Sequence, residues 1–289
     1  MSIRMRKYQM LSDFEKVSLF YVENYIKSNV YQTQPCFAFS HTHGNFDCKK
    51  AHRFGIWEEN WQIVATACFE IGLGSYIPLI KKGYEFLLTE MLNYAERELS
   101  EYVDGRNFLE ILSIDKQSYN DFYRKNGYNI KHSNPVMIYP YDIGFVECVL
   151  PEGFQIISLE DENDVEKIDR CLWTSFSQKP YIFNGNDERL FKQSSPNFRK
   201  DLSTVVKAPN GEYVCYAGMW IDEKNGFAYL EPLGTIPQYR KMGFAKAALM
   251  AAMKKTMFYG AKYCYCGVGA FYNAIGCKQI GITNTWHKV

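Results

Sequence analysis

The stretch "QYRKMGFAKAALMAA" (238–252) decides how this chain is read. Two adjacent cations, Arg240 and Lys241, and a glycine, Gly243, stand where a strand-like segment gives way to an alanine-rich helix. The first backbone N–H groups of a helix have no partners within it, and the aligned peptide dipoles add partial positive charge there. Such an end receives anions, phosphate above all. Arg240 and Lys241 add full charges, and Gly243 lets an oxygen approach the backbone with no Cβ in the way. Ala245 is the smallest residue that still favours helix. Taken singly, each cation reads as a solvated helix end; their company and what surrounds them say more.

Upstream, "PNG" (209–211) and "KNG" (224–226) are hairpin signals, because Asn-Gly tolerates positive φ. They delimit strands near 203–208, 212–221 and 227–236, an antiparallel meander. A helix over about 241–258 follows, then a strand "KYCYCGV" (262–268), a short helix over "FYNAIG" (271–276) and a final strand. A meander feeding a helix and a further strand predicts an α/β fold of the α+β type. Its sheet is mixed and mostly antiparallel, flanked by helices, and not a doubly wound sheet.

The same scheme is faintly present earlier in the chain. "FYRKNGY" (122–128) and "FYNAIGC" (271–277) share Phe-Tyr-x-x-x-Gly at a displacement of 149 positions. The strand-like "IVATACFEI" (63–71) and "YVCYAGMWI" (213–221) end 150 apart, and each is followed by a helix-length segment. Two matched elements at nearly one offset predict two copies of one unit. The boundary falls within "YDIGFVECVLPEG" (141–153), giving domains 1–145 and 146–289. In the first copy Ser12 and Glu15 read as a capping box opening a helix through about Asn29. Strands are expected near 62–72 and 107–113, and Asp115 is expected to cap a short helix that Gly127 stops.

The 289 residues suit two such domains, with 47% hydrophobic residues for their cores. Lys plus Arg (33) nearly balances Asp plus Glu (32), which argues against a nucleic-acid partner. No apolar run reaches the ~18 residues of a membrane span. "MSIRMRKYQMLSDFEKV" (1–17) has no apolar stretch behind its charges and does not read as a secretory signal. Nine irregularly spaced cysteines predict reduced, mostly buried thiols in a cytoplasmic protein. Cys36, His41, His43 and Cys48 in "CFAFSHTHGNFDC" (36–48) fit no common zinc spacing. Alternation along a strand with a polar turn accounts for them, and no metal is expected. Cys264 and Cys266 share one strand face and read as core.

The turn itself lacks the Gly-x-x-x-x-Gly-Lys-Ser/Thr phosphate loop, and "GVGAFY" (267–272) lacks the third glycine of a dinucleotide fingerprint. Arg240, Lys241, Met242, Gly243, Phe244 and Ala245 match Gln/Arg-x-x-Gly-x-Gly/Ala instead. With the strand before it and "FYNAIGC" after it, residues 152–289 resemble the GNAT superfamily of acetyl-CoA-dependent N-acyltransferases. The whole chain resembles tandem members whose N-terminal half is degenerate.

The resemblance implies that the turn holds the pyrophosphate of acetyl-CoA, the expected cofactor. It also implies that the pantetheine arm enters a gap beside "FAYLEPLGTIP" (227–237), where Pro232 and Gly234 suit broken pairing. Backbone groups of Leu233, Gly234 and Thr235 would contact the arm and the thioester. Glu231, given the strand parity of Leu233 and Thr235, is the candidate base, with an anchor for the substrate amine or a surface carboxylate as plainer readings. Tyr272 matches the tyrosine that protonates the leaving thiolate, against a plain core aromatic; the matching Tyr123 reads as core with a structural hydrogen bond. An asparagine common in the family before this tyrosine is replaced by "GVGA" (267–270). In the first copy Lys81, Lys82 and Gly83 persist, but Ile80 and Glu85 depart from the motif, so this copy is expected not to bind acetyl-CoA.

Trp173, Tyr181 and Phe183 fall where the family has variable acceptor loops, as pocket lining or packed loop. The implied activity is acetyl transfer to the amine of a small-molecule acceptor by direct attack in a ternary complex. A peptide N-acetyltransferase and a non-catalytic acyl-CoA sensor are the rivals. The sequence does not define an oligomeric state.

Overall fold

The structure, a computed structural model, describes residues 2–288. The chain forms two compact units, one running up to Val136 and including the residues from Gln279 onward, the other Met137–Lys278.

In the first unit β1 (Arg4–Lys7) is followed by α1 (Met10–Glu23) and α2 (Gln34–His41). A meander of β2 (Gly55–Glu59), β3 (Gln62–Cys68) and β4 (Ser75–Ile80) leads into α3 (Leu88–Glu98) and a small hairpin, β5 (Glu101–Val103) and β6 (Arg106–Phe108). Then come β7 (Glu110–Ile114), α4 (Gln117–Lys125) and β8 (Asn129–Pro140). The second unit continues with β9 (Gln155–Ser158), α5 (Val165–Phe176), α6 (Asp187–Gln193) and the meander β10 (Thr204–Lys207), β11 (Tyr213–Asp222), β12 (Phe227–Thr235). It closes with α7 (Phe244–Thr256), β13 (Tyr263–Cys266) and α8 (Ala270–Ile275), and β14 (Lys278–His287) follows.

Strand order in the first unit is β1-β2-β3-β4-β7-β14, antiparallel except for the parallel β4–β7 pair. In the second it is β13-β12-β11-β10-β9, with β12–β13 parallel and the last residues of β8 antiparallel on β13. Each unit is therefore a mixed, mostly antiparallel sheet in which a three-strand meander, a helix, a parallel strand and a short helix recur in order.

The second unit's core explains its sequence. β11 is buried along its whole length, so Tyr213 to Ile221 read as a continuous apolar run instead of an alternating one, with the buried Asp222 at its end. On one face Ala217, Met219 and Leu230 meet Ala248, Leu249, Ala252 and Met253 of α7, whose alanines let the helix approach closely. On the other, Val205 and Tyr216 pack against Ile168, Cys171 and Leu172 of α5.

Several local expectations shift. α1 begins at Met10 behind Gln9, and Asp13, not Ser12 or Glu15, takes the Gln9 N–H at 2.8 Å while its carboxylate also pairs with Arg6. α1 ends at Glu23, short of Asn29. Asp115 does not cap α4, whose N-cap is Lys116; its Oδ1 instead accepts from Asn120 and Asn284. Gly127 is left-handed as expected, at φ +82°. Residues 36–41 are helical where a strand was expected, and 42–48 form turns, as expected. Thr33 caps α2 and Pro35 sits in its first turn, where a missing N–H costs nothing. His41 donates from Nδ1 to the Phe37 carbonyl inside an aromatic cage, and burial pushes its pKa down to about 4.

Candidate active site

β12 pairs with β13 only over Phe227–Tyr229, against Tyr263–Tyr265; from Leu230 onward β12 has no β13 partner. A gap thus opens between two parallel strands at the end where β12 runs into the 238–243 turn. A cavity of about 630 Å³ occupies that end. Leu233, Gly234, Thr235, Arg240, Lys241, Gly243, Phe244, Ala245 and Tyr272 line it, together with Ser175 and Phe176 of α5. Of the residues singled out in the sequence, Met242 and Glu231 are not among those lining it.

The turn is backbone-rich in donors. α7 starts at Phe244, and the first N–H bonded to a backbone carbonyl is that of Ala247, on Gly243. The N–H groups of Lys241, Met242, Gly243, Phe244, Ala245 and Lys246 have no backbone acceptor among the described residues. Gly243 is left-handed at φ +85°, Lys241 is left-handed at φ +63°, and open space surrounds the position a Gly243 Cβ would take. A donor set of this kind, at a helix start and unobstructed, fits a pyrophosphate.

Arg240 behaves differently from a free cation. Its Nε donates to the Thr235 carbonyl at 3.1 Å and its Nη2 to the Ser175 carbonyl at 2.7 Å. It therefore ties the end of α5 to the end of β12 as well as bringing charge to the turn. Gly234 faces the same α5 end, since a Cβ there would meet Ser175 at 3.0 Å and Phe176 at 3.3 Å. Sequence reading missed Ser175 and Phe176, which no local motif marks. Trp173, Tyr181 and Phe183 do not line this cavity; Trp173 donates to the Lys179 carbonyl at 3.0 Å, and the Arg170 guanidinium lies over the Tyr181 ring.

Glu231 does not keep the parity read from the sequence. Leu233 pairs with Ala217 and Leu230 with Met219, so Glu231 and Pro232 together oppose Gly218 in a bulge. The extra residue resets alternation, and Leu230, not Glu231, shares the core face of Leu233. The bulge is held from β11: Trp220 Nε1 donates to the Glu231 carbonyl at 3.0 Å. Gly218 leaves room for that carbonyl, which any Cβ would overlap.

Tyr272 lies near enough to feel Glu231. Burial, then the Cys266 thiol and the Glu231 carboxylate, push its phenol pKa up, so the O–H remains in place at ordinary pH. Lys192 on α6 is a third residue that the sequence reading missed. It is buried, and its pKa falls to about 7 chiefly through desolvation, with Arg189 lowering it and Glu231 and Glu188 opposing. Between pH ~7 and ~10 the unfolded chain carries a proton on this lysine that the folded chain lacks. Its contribution to stability therefore rises with pH across that window. Lys192→Met is expected to stabilise the protein at pH 6 by roughly 2–4 kcal/mol, the gain shrinking toward pH 10. Urea unfolding at both pH values checks this; an equal gain at both would contradict it.

In the first unit the corresponding turn carries its own anion. Gly83, left-handed at φ +94°, donates its N–H to the Glu85 carboxylate at 2.8 Å. Tyr123, the counterpart of Tyr272, is fully buried against Trp286, and its hydroxyl has no hydrogen-bond partner, where a structural one was expected.

A splayed parallel pair with a donor-rich turn at the start of the following helix can take an extended ligand that ends in phosphates. Residues 165–277 match the model of the acetyltransferase (GNAT) family. No curated protein matches the sequence. Among solved structures, a GNAT-family acetyltransferase from Colwellia psychrerythraea is similar over 99% of this chain and 100% of its own, with TM-score 0.61 and 12% identity. A GCN5-related N-acetyltransferase from Sphaerobacter thermophilus gives TM-score 0.60 at 13% identity, covering 99% of this chain and 95% of that one. A tandem GNAT protein from the clavulanic acid biosynthesis pathway gives 0.59 at 9%, covering 99% and 98%. At these identities the likeness is one of fold, and the fold is that of a tandem GNAT protein. No described helix is long and apolar enough to cross a membrane.

Proposed function

We propose that the second unit is an N-acetyltransferase that moves an acetyl group from acetyl-CoA directly to the amine of a small-molecule acceptor in a ternary complex. The observation that carries this reading is the meeting, around one cavity, of an unobstructed N–H cradle, a gap between parallel strands, and a protonated tyrosine. Acetyl-CoA, when bound, supplies an activated acetyl thioester. The N–H groups of residues 241–246, with Lys241 beside them, hold its pyrophosphate. Leu233, Gly234 and Thr235 offer main-chain groups along the unpaired edge of β12, where a donor polarises a thioester carbonyl.

An alkyl ammonium cannot attack, so a carboxylate must take its proton; Glu231, whose charge reaches Tyr272, is our candidate for that role. Tyr272, protonated at neutral pH, gives its proton to the departing thiolate, and the proton lost from the acylated nitrogen returns to the phenolate. The first unit, with Glu85 on the Gly83 N–H, binds no acetyl-CoA. A small acceptor is favoured over a peptide by analogy with tandem members.

The test is release of free thiol from acetyl-CoA with a panel of small amines. Tyr272→Phe is expected to lower kcat by about 10–100-fold with KM for acetyl-CoA unchanged. A sensor would release no thiol with any amine, and a Tyr272→Phe enzyme with full kcat would remove the tyrosine from the mechanism.

A further inference from the structure

Gly267 lies between β13 and α8, one residue beyond Cys266. A Cβ built on it would stand 2.5 Å from Tyr272 Cε2, 2.7 Å from Cζ and 2.9 Å from the hydroxyl oxygen. The hydroxyl-bearing edge of Tyr272 therefore rests on the main chain of residue 267, in space that any side chain would fill. The remaining sides of the ring are fixed by packing: Phe271 meets it edge-on at 5.1 Å, and it adjoins the core of the second unit.

The backbone gives no other reason for glycine here. Gly243, Gly269 and Gly276 in the same region have positive φ, whereas Gly267 does not. At Gly267 the three atoms nearest to a built Cβ all belong to Tyr272.

We propose that Gly267 is a positioning residue, setting the Tyr272 hydroxyl at the open end of the gap between β12 and β13. This rests on the reading of Tyr272 as the proton donor to the leaving thiolate. Overpacking by one methyl forces shifts of side chain or backbone. Here the group that must move is the one whose placement matters for transfer, while the N–H cradle lies on a different element.

The experiment is a double-mutant cycle of Gly267→Ala in the wild-type and Tyr272→Ala backgrounds, read both as urea unfolding and as thiol release. With Tyr272 present, Gly267→Ala is expected to lower kcat by about tenfold or more while KM for acetyl-CoA stays within about twofold. With Tyr272 removed, the same substitution should change kcat by less than about twofold and cost no stability. An equal loss in both backgrounds, or an unaltered kcat beside Tyr272, overturns the proposal. A wild-type chain that releases no thiol with any amine overturns the reading of the site and this role with it. Coupling in the unfolding data would then still report the seat itself, so the two failures are separable.

Discussion

Gly243→Glu is expected to weaken acetyl-CoA binding by more than about 100-fold, with little loss of fold. Two effects add. Glycine at φ +85° occupies a conformation that costs other residues roughly 1–2 kcal/mol. The new carboxylate also stands among the N–H groups meant for phosphate and opposes it; like charges about 4 Å apart at an effective dielectric near 20 repel by roughly 4 kcal/mol. Each 1.4 kcal/mol is about tenfold in affinity. Because nothing lies within 4 Å of the Cβ position, the side chain meets no core atom. Calorimetric titration beside a denaturation curve separates the two; a variant that binds normally would show that the turn is not the phosphate site.

Glu231→Gln is expected to lower kcat/KM by about 10²–10³-fold near neutral pH. The amide keeps the size of the side chain but cannot take a proton from an ammonium. The main-chain carbonyl held by Trp220 is untouched, so the bulge should persist. As pH rises toward the pKa of the acceptor amine, free amine becomes available without help, and the deficit should shrink. The check is a kcat/KM profile from about pH 6 to 10 for both enzymes. A deficit constant across that range would make Glu231 an anchor for the acceptor instead of its base. Acetyl-CoA affinity should not change, since Glu231 does not line the cavity.

Much of the fold was legible because its signals are local. The Asn-Gly turns at Gly211 and Gly226, both with positive φ, divide the β10–β12 meander where the sequence reading divided it. The cluster from Leu233 to Ala245 was legible because one strand, one turn and one helix start carry it contiguously. What failed was parity across an interruption. Pro232 and the mid-strand Gly218 were both visible, but only the register shows that they oppose each other in a bulge and turn Glu231 off the face of Leu233. Residues 36–41 show strand-like alternation, yet Thr33 and Pro35 just before them are helix-start residues, and the cap decides the conformation.

Other features are set by distant packing. Lys192 stands in "DERLFKQ", where no local signal marks it, and its burial is decided by what α6 meets. The pairing of β14 with β7 joins residues some 170 positions apart, Thr283 with Ile114, and no local pattern announces it. Gly267 looked like the loss of a family asparagine; the distances to Tyr272 give it a reason of its own.

The central claim is that the second unit alone holds acetyl-CoA, in the turn that begins α7. Isothermal titration of the purified chain with acetyl-CoA tests it most directly. One site per chain, abolished by Gly243→Glu, is the predicted result. Two sites would mean that Glu85 does not close the first unit's turn, and no binding would contradict the account at its root.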